Sequence, residues 1–347
     1  MSEARNRPTA VMHVVDRLTG GVPVAVCDYI RNTPSGVAHT ILSPWVDGAP
    51  SPIWNGVVAE HVDLGASRPR QPLRTRRAIR DAAPDVVHAH SSFPGAFVRA
   101  VRPRGPRVVY SPHCFKFDDP GAGRPLRTAI SVAERLLARR TDVFAVLSAH
   151  EGRLASGLGA DARVTRVPNA PSVPRRGTSA TGVRPHRIGM VGRLAGQKDP
   201  GMMIALAREL ASAPAPVEVV WIGGGDETWE RRLTDAGVRV TGWLSKEQVT
   251  GELDALSLYV HTASYEGFPL SVLDAAARGV PVVARRIPSL DEAGLETFDD
   301  AHSGAALIRR ALEEPAFAAD LAARGESMLT RMNSDTQRAA LDRVWRS

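Results

Sequence analysis

An alternation of short apolar runs with longer amphipathic stretches, kept up along the whole chain, narrows the fold more than any other feature. Residues 11–15, 38–42, 86–88, 108–110 and 143–147 read as buried strands in the first half. Residues 187–191, 217–222, 238–241, 258–261 and 280–283 do so in the second. Helical spacing fills the gaps near 22–31, 72–82, 95–101 and 126–139; in the last, Leu126, Ile130, Ala133 and Leu137 fall on one face. Strands alternating with helices predict parallel sheets covered on both faces.

At 347 residues the chain exceeds one ordinary domain. Residues 171–182 are polar and rich in Pro and Gly, as a linker is. We therefore expect an N-terminal domain over 1–178 and a second over 179–330. Charge divides with them. Residues 1–178 carry 25 basic and 14 acidic side chains, and 179–347 carry 19 and 23. The densest basic run holds Arg68, Arg70, Arg74, Arg76, Arg77 and Arg80. Such asymmetry suits an anionic surface; a solvated arginine-rich helix face explains the run equally well. No run of 18 apolar residues exists, the N-terminus lacks an apolar core, and the two cysteines, Cys27 and Cys114, form no metal or disulfide pattern. A cytoplasmic protein, with the inner membrane face as a further location, is the expectation.

The stretch from Glu266 to Ala284 carries the chemistry. Glu266 and Asp274 stand eight residues apart, one before and one inside a short helix. Pro269 suits the first helical position, where its missing N–H costs nothing. The free N–H groups of Leu270 and Ser271 then welcome an anion. Gly279 ends the helix and a buried strand follows. Carboxylates for hydroxyl groups beside an anion-binding helix end fit a sugar nucleotide.

This stretch resembles the E-x7-E signature of the family 4 glycosyltransferases, which have the GT-B fold, two Rossmann-like doubly wound α/β domains facing across a crevice. Asp274 stands where the family has Glu. Gly192-Arg193-Leu194-Ala195-Gly196-Gln197-Lys198 after a strand resembles the family's G-R-L-x-x-x-K segment. Lysine is scarce here, three against 41 arginines, so Lys198 is a pointed match. The resemblance implies that Arg193 and Lys198 hold the donor diphosphate, whose charge grows as it departs. It implies that Glu266, with Gly267, Phe268, Leu270 and Ser271, borders the donor, and that Asp274 binds ribose hydroxyls.

Shorter segments extend the resemblance over nearly the whole chain. Gly20-Gly21 after the first strand resembles the family's N-terminal Gly-Gly loop over the reaction centre; a plain tight turn is the alternative. Asp85-Val86-Val87-His88-Ala89-His90 resembles a D-V-V-H-x-H strand. No further metal ligand is evident beside its histidines, so no metal is expected. Ser111-Pro112-His113 resembles an S/T-P-H segment whose histidine approaches the donor sugar. Residues 143–148 with Glu151, and Val167-Pro168-Asn169, resemble the family's V-S-x-x-E and V-P-N-G segments, with Ala170 in place of the glycine. Gly223 and the glycines after it allow close backbone approach to a nucleotide, or a flexible turn. Gly242, Trp243 and Leu244 resemble a segment bordering the nucleobase. The C-terminal residues 331–347, helical from about 336, are expected to cross back to the first domain.

The function implied is a retaining transfer of a hexose or N-acetylhexosamine from a nucleoside diphosphate sugar to a hydroxyl acceptor, in cell-envelope or exopolysaccharide synthesis. No cofactor is expected, and a UDP-sugar is favoured over a GDP-sugar. The acceptor is lipid-linked or soluble. Glycosylation of a natural product and sugar-nucleotide epimerisation on the same fold are the alternatives. A nucleic-acid binder, suggested only by a pI of 10.1, lacks the motifs and aromatics of one.

Overall fold

The computed structural model describes residues 7–58, 60–101, 104–159, 162–176, 186–211 and 216–346. The chain divides into two compact units, 1–169 with 334–347, and 170–333. The boundary expected at 178 lies outside the described residues.

In the first unit the strands are β1 (Thr9–Val15), β2 (Val37–Ser43), β3 (Glu60–Asp63), β4 (Val86–His90), β5 (Arg107–Ser111), β6 (Val143–Val146) and β7 (Arg163–Arg166). The helices are α1 (Gly21–Arg31), α2 (Gln71–Ala82), α3 (Ser92–Val101), α4 (Arg124–Ala138) and α5 (Ala149–Ser156). The strands pair in parallel in the order β3-β2-β1-β4-β5-β6-β7.

In the second unit, β8 (Arg187–Val191), β9 (Glu218–Ile222), β10 (Arg239–Val240), β11 (Leu258–His261), β12 (Val282–Arg285) and β13 (Glu296–Phe298) form a parallel sheet. Their order is β10-β9-β8-β11-β12-β13. Helices α6 (Pro200–Leu210), α7 (Glu227–Asp235), α8 (Lys246–Asp254), α9 (Leu270–Ala277), α10 (Ala301–Glu313) and α11 (Pro315–Arg331) accompany it. In both sheets the strand order reverses beside the first strand, between β1 and β4 and between β8 and β11. In doubly wound folds ligands collect there, at the carboxyl ends of the strands.

The last helix, α12 (Ser334–Arg346), packs on the first sheet. Its Ala340, Leu341, Val344 and Trp345 bury against Val11, Val86, Val109 and Val143. Gln337 is fully buried, bonding Pro168 O at 2.9 Å and taking a hydrogen bond from Asn32 at 2.8 Å. The opposite face of that sheet packs Met12, Val14, Val87, Ala89, Val108 and Tyr110 into a separate core. Beneath it a buried Arg99–Glu134 pair at 2.9 Å lies against Tyr110, whose ring stacks under the guanidinium.

Two local details differ from the sequence reading. Three short strands at or near sheet edges, β3, β7 and β13, join the sheets; their sequences EHVD, RVTR and ETF hold too few apolar residues to read as buried. Pro269 is the N-cap of α9 rather than its first helical residue. The helix start moves by one position and leaves Leu270 first.

Candidate functional site

In the second unit the loop after β8 carries Gly192 to Lys198. The Lys198 side chain lies along Gly192, where an added Cβ would sit 3.4 Å from three of its carbons. Its ammonium donates to Glu266 Oε1, and Gln197 Nε2 reaches the other carboxylate oxygen at 3.4 Å. Lys198 O accepts from Thr262 at 2.8 Å, and Gln197 O accepts from the Ser264 backbone at 3.0 Å, tying this loop to the one after β11. Motif residues 68 positions apart thus meet. Arg193 is half-buried, and its guanidinium has no hydrogen-bond or ion-pair partner among the described residues. Arg193 and Lys198 thus place two cationic side chains on one loop, the type of group that bonds phosphate and carboxylate oxygens through charge-assisted hydrogen bonds.

Gly267 and Phe268 are buried and lead into α9, whose Ser271 hydroxyl accepts from Tyr259 Oη at 2.8 Å. Asp274, 9% exposed, is more committed than the sequence reading expected. Its Oδ1 accepts from Ser172 N at 2.6 Å and its Oδ2 from Ser172 Oγ at 2.7 Å. Burial pushes this carboxyl up, against hydrogen bonds from Ser172 and Val173. Ribose hydroxyls there would share an acceptor that already anchors residues 172–173.

The glycines after β9 approach the chain itself. Gly223, at φ 136°, lies so near Gly192 O that an added Cβ would sit 2.3 Å from it. Gly225 meets Leu194 O in the same way, at 2.5 Å. Leu194 N bonds Gly224 O at 2.9 Å, Asp226 N bonds Leu194 O at 3.2 Å and Trp221 Nε1 donates to Gly192 O at 2.8 Å, bracing the Arg193 loop. Gly242, at φ 70°, bridges Gly223, and Trp243 beside it is 62% exposed. Leu244 is half-buried.

In the first unit Gly20, at φ 88°, caps α1, which begins at Gly21. His113 follows β5 with φ 51°, and Cys114 has φ 97°. Neither is glycine, so this turn must be held against its own preference. Glu151 holds it. Oε1 accepts from Cys114 N and Oε2 from Leu147 N, both at 2.7 Å. Burial pushes the Glu151 carboxyl up to about 7 even so.

Sequence reading missed four residues. His13 and His39 join His88 and His90. The β1–β4 register sets His13 opposite His88, and ring nitrogens of His13, His88 and His90 lie within 4.8 Å of one another. The sequence of β4 alone holds no third imidazole. Both His88 nitrogens are occupied, by Ser111 Oγ at 2.8 Å and Trp345 Nε1 at 3.3 Å. Asp16, just past β1, has both carboxylate oxygens buried without a partner among the described residues, and burial pushes it up. His261, fully buried at the end of β11, has neither ring nitrogen paired among them. A histidine inside an apolar run was the available signal at positions 13 and 261.

Residues 10–170 match the model of a "Glycosyl transferase 4-like domain", and 185–322 that of "Glycosyl transferases group 1". A GDP-mannose-dependent alpha-mannosyltransferase of Mycolicibacterium smegmatis is 30% identical over 234 residues, 64% of this chain and 60% of that protein. A putative teichuronic acid biosynthesis glycosyltransferase, TuaC of Bacillus subtilis, is 26% identical over 217 residues, 59% of this chain and 54% of that protein. The matches span 54% to 62% of the length of these curated relatives and of a third from Klebsiella pneumoniae. Among solved structures, Anabaena Alr3699/HepE in complex with UDP and glucose superposes with a TM-score of 0.78 at 15% identity, over 96% of this chain and 98% of that one. Sucrose-phosphate synthase from Thermosynechococcus elongatus does so at 0.79 and 15%, over 97% and 98%.

Proposed function

Because the chain belongs to the family 4 glycosyltransferases and has the GT-B fold, we propose that it transfers a hexosyl or N-acetylhexosaminyl group from a nucleoside diphosphate sugar to a hydroxyl, with retention, in cell-envelope glycan synthesis. The observation that carries this reading is the Lys198–Glu266 pair, which joins the loops at the carboxyl ends of β8 and β11, with Arg193 on the same loop as Lys198. Arg193 and Lys198 stabilise the departing diphosphate, helped by the N–H groups opening α9. Glu266 holds Lys198 in place and accepts from sugar hydroxyls. The bond from C1 to the diphosphate oxygen breaks, and its electron pair leaves with the diphosphate. The acceptor oxygen attacks C1 from the same face, and its proton passes to the departing phosphate oxygen. No side chain need act as base. His113 accepts from a hydroxyl of the donor sugar. Asp274 contributes by anchoring residues 172–173 and shares its oxygens with ribose.

UDP is the proposed nucleotide; the HepE neighbour binds UDP, whereas the mannosyltransferase relative is GDP-mannose-dependent. Melting curves with UDP-, GDP- and dTDP-sugars decide, since a bound donor raises the melting temperature by mass action. A shift with UDP-sugars alone supports the proposal. A shift with GDP-sugars alone corrects the base, and no shift with any sugar nucleotide removes the donor reading.

A second proposal concerns location: the first unit docks on an anionic membrane and takes an acceptor there. Helices α2, α3 and α4 lie side by side. They expose Leu73, Phe93, Leu126, Val132 and Leu136. The Arg68 guanidinium lies 4.3 Å from the centre of the Phe93 ring. In α2, Arg74, Arg77 and Arg80 lean on Asp63 and Asp81, whereas Arg124, Arg127 and Arg135 of α4 have no acidic partner among the described residues. Basic residues near such a surface contribute about 1 kcal/mol each. Co-sedimentation with anionic but not neutral vesicles, lost when Arg74, Arg76, Arg77 and Arg80 become Ser, is the expected result. Absence of binding at low salt leaves a soluble acceptor.

A further inference from the structure

The first unit contains a hydrogen-bonded row of four imidazoles. His39 Nδ1 meets His13 Nε2 at 3.0 Å, His13 Nδ1 meets His90 Nε2 at 2.9 Å, and His90 Nδ1 meets His113 Nε2 at 3.0 Å. Ring centroids step by 5.1, 5.2 and 5.3 Å. Every link joins an Nδ1 to the next Nε2. A neutral imidazole offers one donor and one acceptor nitrogen. The tautomers of the row are therefore coupled: fixing one ring fixes all four.

The row has a defined start. Thr33 Oγ1 lies 2.6 Å from His39 Nε2 and 3.0 Å from Tyr29 O. Thr33 N, which would continue the α1 ladder to Tyr29 O, bonds Ile30 O instead, at 3.3 Å. Tyr29 is buried, so its carbonyl needs a donor, and the Thr33 hydroxyl supplies it. The hydroxyl proton is committed to Tyr29, and Thr33 Oγ1 must accept from His39.

From these contacts we propose that Thr33, His39, His13 and His90 are positioning residues. Together they lock His113 with its proton on Nε2 and present its Nδ1 as a hydrogen-bond acceptor. His39 donates from Nε2 to Thr33, so its Nδ1 accepts from His13 Nε2–H. The same step repeats to His90 and then to His113. Neutral rings are required, because an imidazolium carries two N–H groups and breaks the row. Burial supplies that condition, pushing His39 and His113 down to about 4 and His13 and His90 well below the ordinary value. Tyr29 stacks on His88 and His113 and helps hold the row in place.

A metal ion at His13, His88 and His90 would need free lone pairs. In the locked row each of their Nδ1 atoms already accepts, from His90, Trp345 and His113 respectively. The cluster therefore works as a tautomer lock. Its consequence for chemistry rests on the reading that His113 meets a sugar hydroxyl: the lock lets His113 accept from that hydroxyl and forbids it to donate from Nδ1.

The test is two-bond ¹H–¹⁵N correlation spectroscopy on histidine-labelled protein near neutral pH, beside steady-state kinetics. The wild type should show His39, His13, His90 and His113 all protonated at Nε2. Thr33→Val removes the terminal acceptor and should move His113 toward the Nδ1–H form. Thr33→Ser keeps the hydroxyl and should restore the wild-type pattern. Turnover of Thr33→Val should fall about tenfold, the worth of one ordinary hydrogen bond, and recover in Thr33→Ser. A wild-type His113 protonated at Nδ1, or a bound stoichiometric metal whose removal changes these signals, overturns the lock. So does a Thr33→Val spectrum with His113 unchanged. If Thr33→Val fails to fold, the wild-type spectrum alone decides. A tautomer switch without loss of turnover leaves the lock standing and refutes the contact between His113 and a substrate hydroxyl.

Discussion

The two units use the carboxyl ends of similarly wound sheets in opposite ways. The second unit gathers charge there: Lys198 held by Glu266, and Arg193 without a counter-ion among the described residues. Its glycines Gly223 and Gly225 brace the Arg193 loop through backbone contact. The first unit gathers neutral rings. His13, His90 and His113 are held uncharged by burial, and an unpaired Asp16 lies nearby in sequence, just past β1. Fixed charge suits a diphosphate that gains charge as it leaves. Neutral donors and acceptors suit hydroxyl groups, which offer direction rather than charge. On the proposed reading one topology serves two kinds of ligand group, and the division is open to test from either side.

The largest expected effect lies on the charged side. Arg193→Ala and Lys198→Ala should each lower turnover by roughly 10²–10³, the usual cost of losing one contact aimed at developing charge. Melting temperature should hardly change for Arg193→Ala, because that guanidinium has no hydrogen-bond or ion-pair partner among the described residues. Near-normal turnover in both variants would erase the contrast between the units.

Next comes Glu151 in the first unit. Its carboxyl titrates near 7 when folded, above the ordinary carboxylate value near 4.5. The folded state therefore binds a proton that the unfolded chain has released. Stability from this group is greatest below about pH 4.5 and is lost as pH rises through about 7. Comparing wild type with Glu151→Gln by denaturant melts, the wild-type advantage should shrink by up to about 3 kcal/mol across that window, at about 1.4 kcal/mol per pH unit. A difference independent of pH would show that Glu151 stays ionised throughout.

Gly223→Ala should cost about 1–3 kcal/mol of stability, because its Cβ would collide with Gly192 O at a φ that L residues rarely adopt. Donor affinity should fall with it, since the Arg193 loop is displaced. Unchanged stability would mean that the loops are not braced this way. The smallest effect is at Asp16. Asp16→Asn relieves a buried carboxylate and should gain about 0.5–2 kcal/mol of stability in denaturant melts. A variant that is no more stable would show that Asp16 is already satisfied.

The sequence disclosed these two regions unequally. Lys198 and Glu266 sit in contiguous motifs, each a strand followed by its loop, so the chain order itself presents them. Both wound sheets were legible for the same reason, because central strands are long apolar runs. The short strands β3, β7 and β13 were not, since too few of their residues are apolar. The histidine row was hidden by register. His13, His39, His90 and His113 come from four strands or their ends, and only the pairing of β1 with β2 and β4, and of β4 with β5, brings them together. Asp274 misled in a subtler way. Its motif position was plain, but its hydrogen bonds to Ser172 join residues 102 positions apart, which no local pattern encodes.

The central claim is that Arg193 and Lys198 of the second unit hold the diphosphate. Calorimetric titration of UDP and of GDP into wild type, Arg193→Ala, Lys198→Ala and His113→Ala tests it most directly. The account predicts measurable diphosphate binding by wild type, at least tenfold weaker binding in each charge-removal variant, and an affinity in His113→Ala close to wild type. Equal affinities across Arg193→Ala, Lys198→Ala and wild type, or a loss confined to His113→Ala, would contradict it.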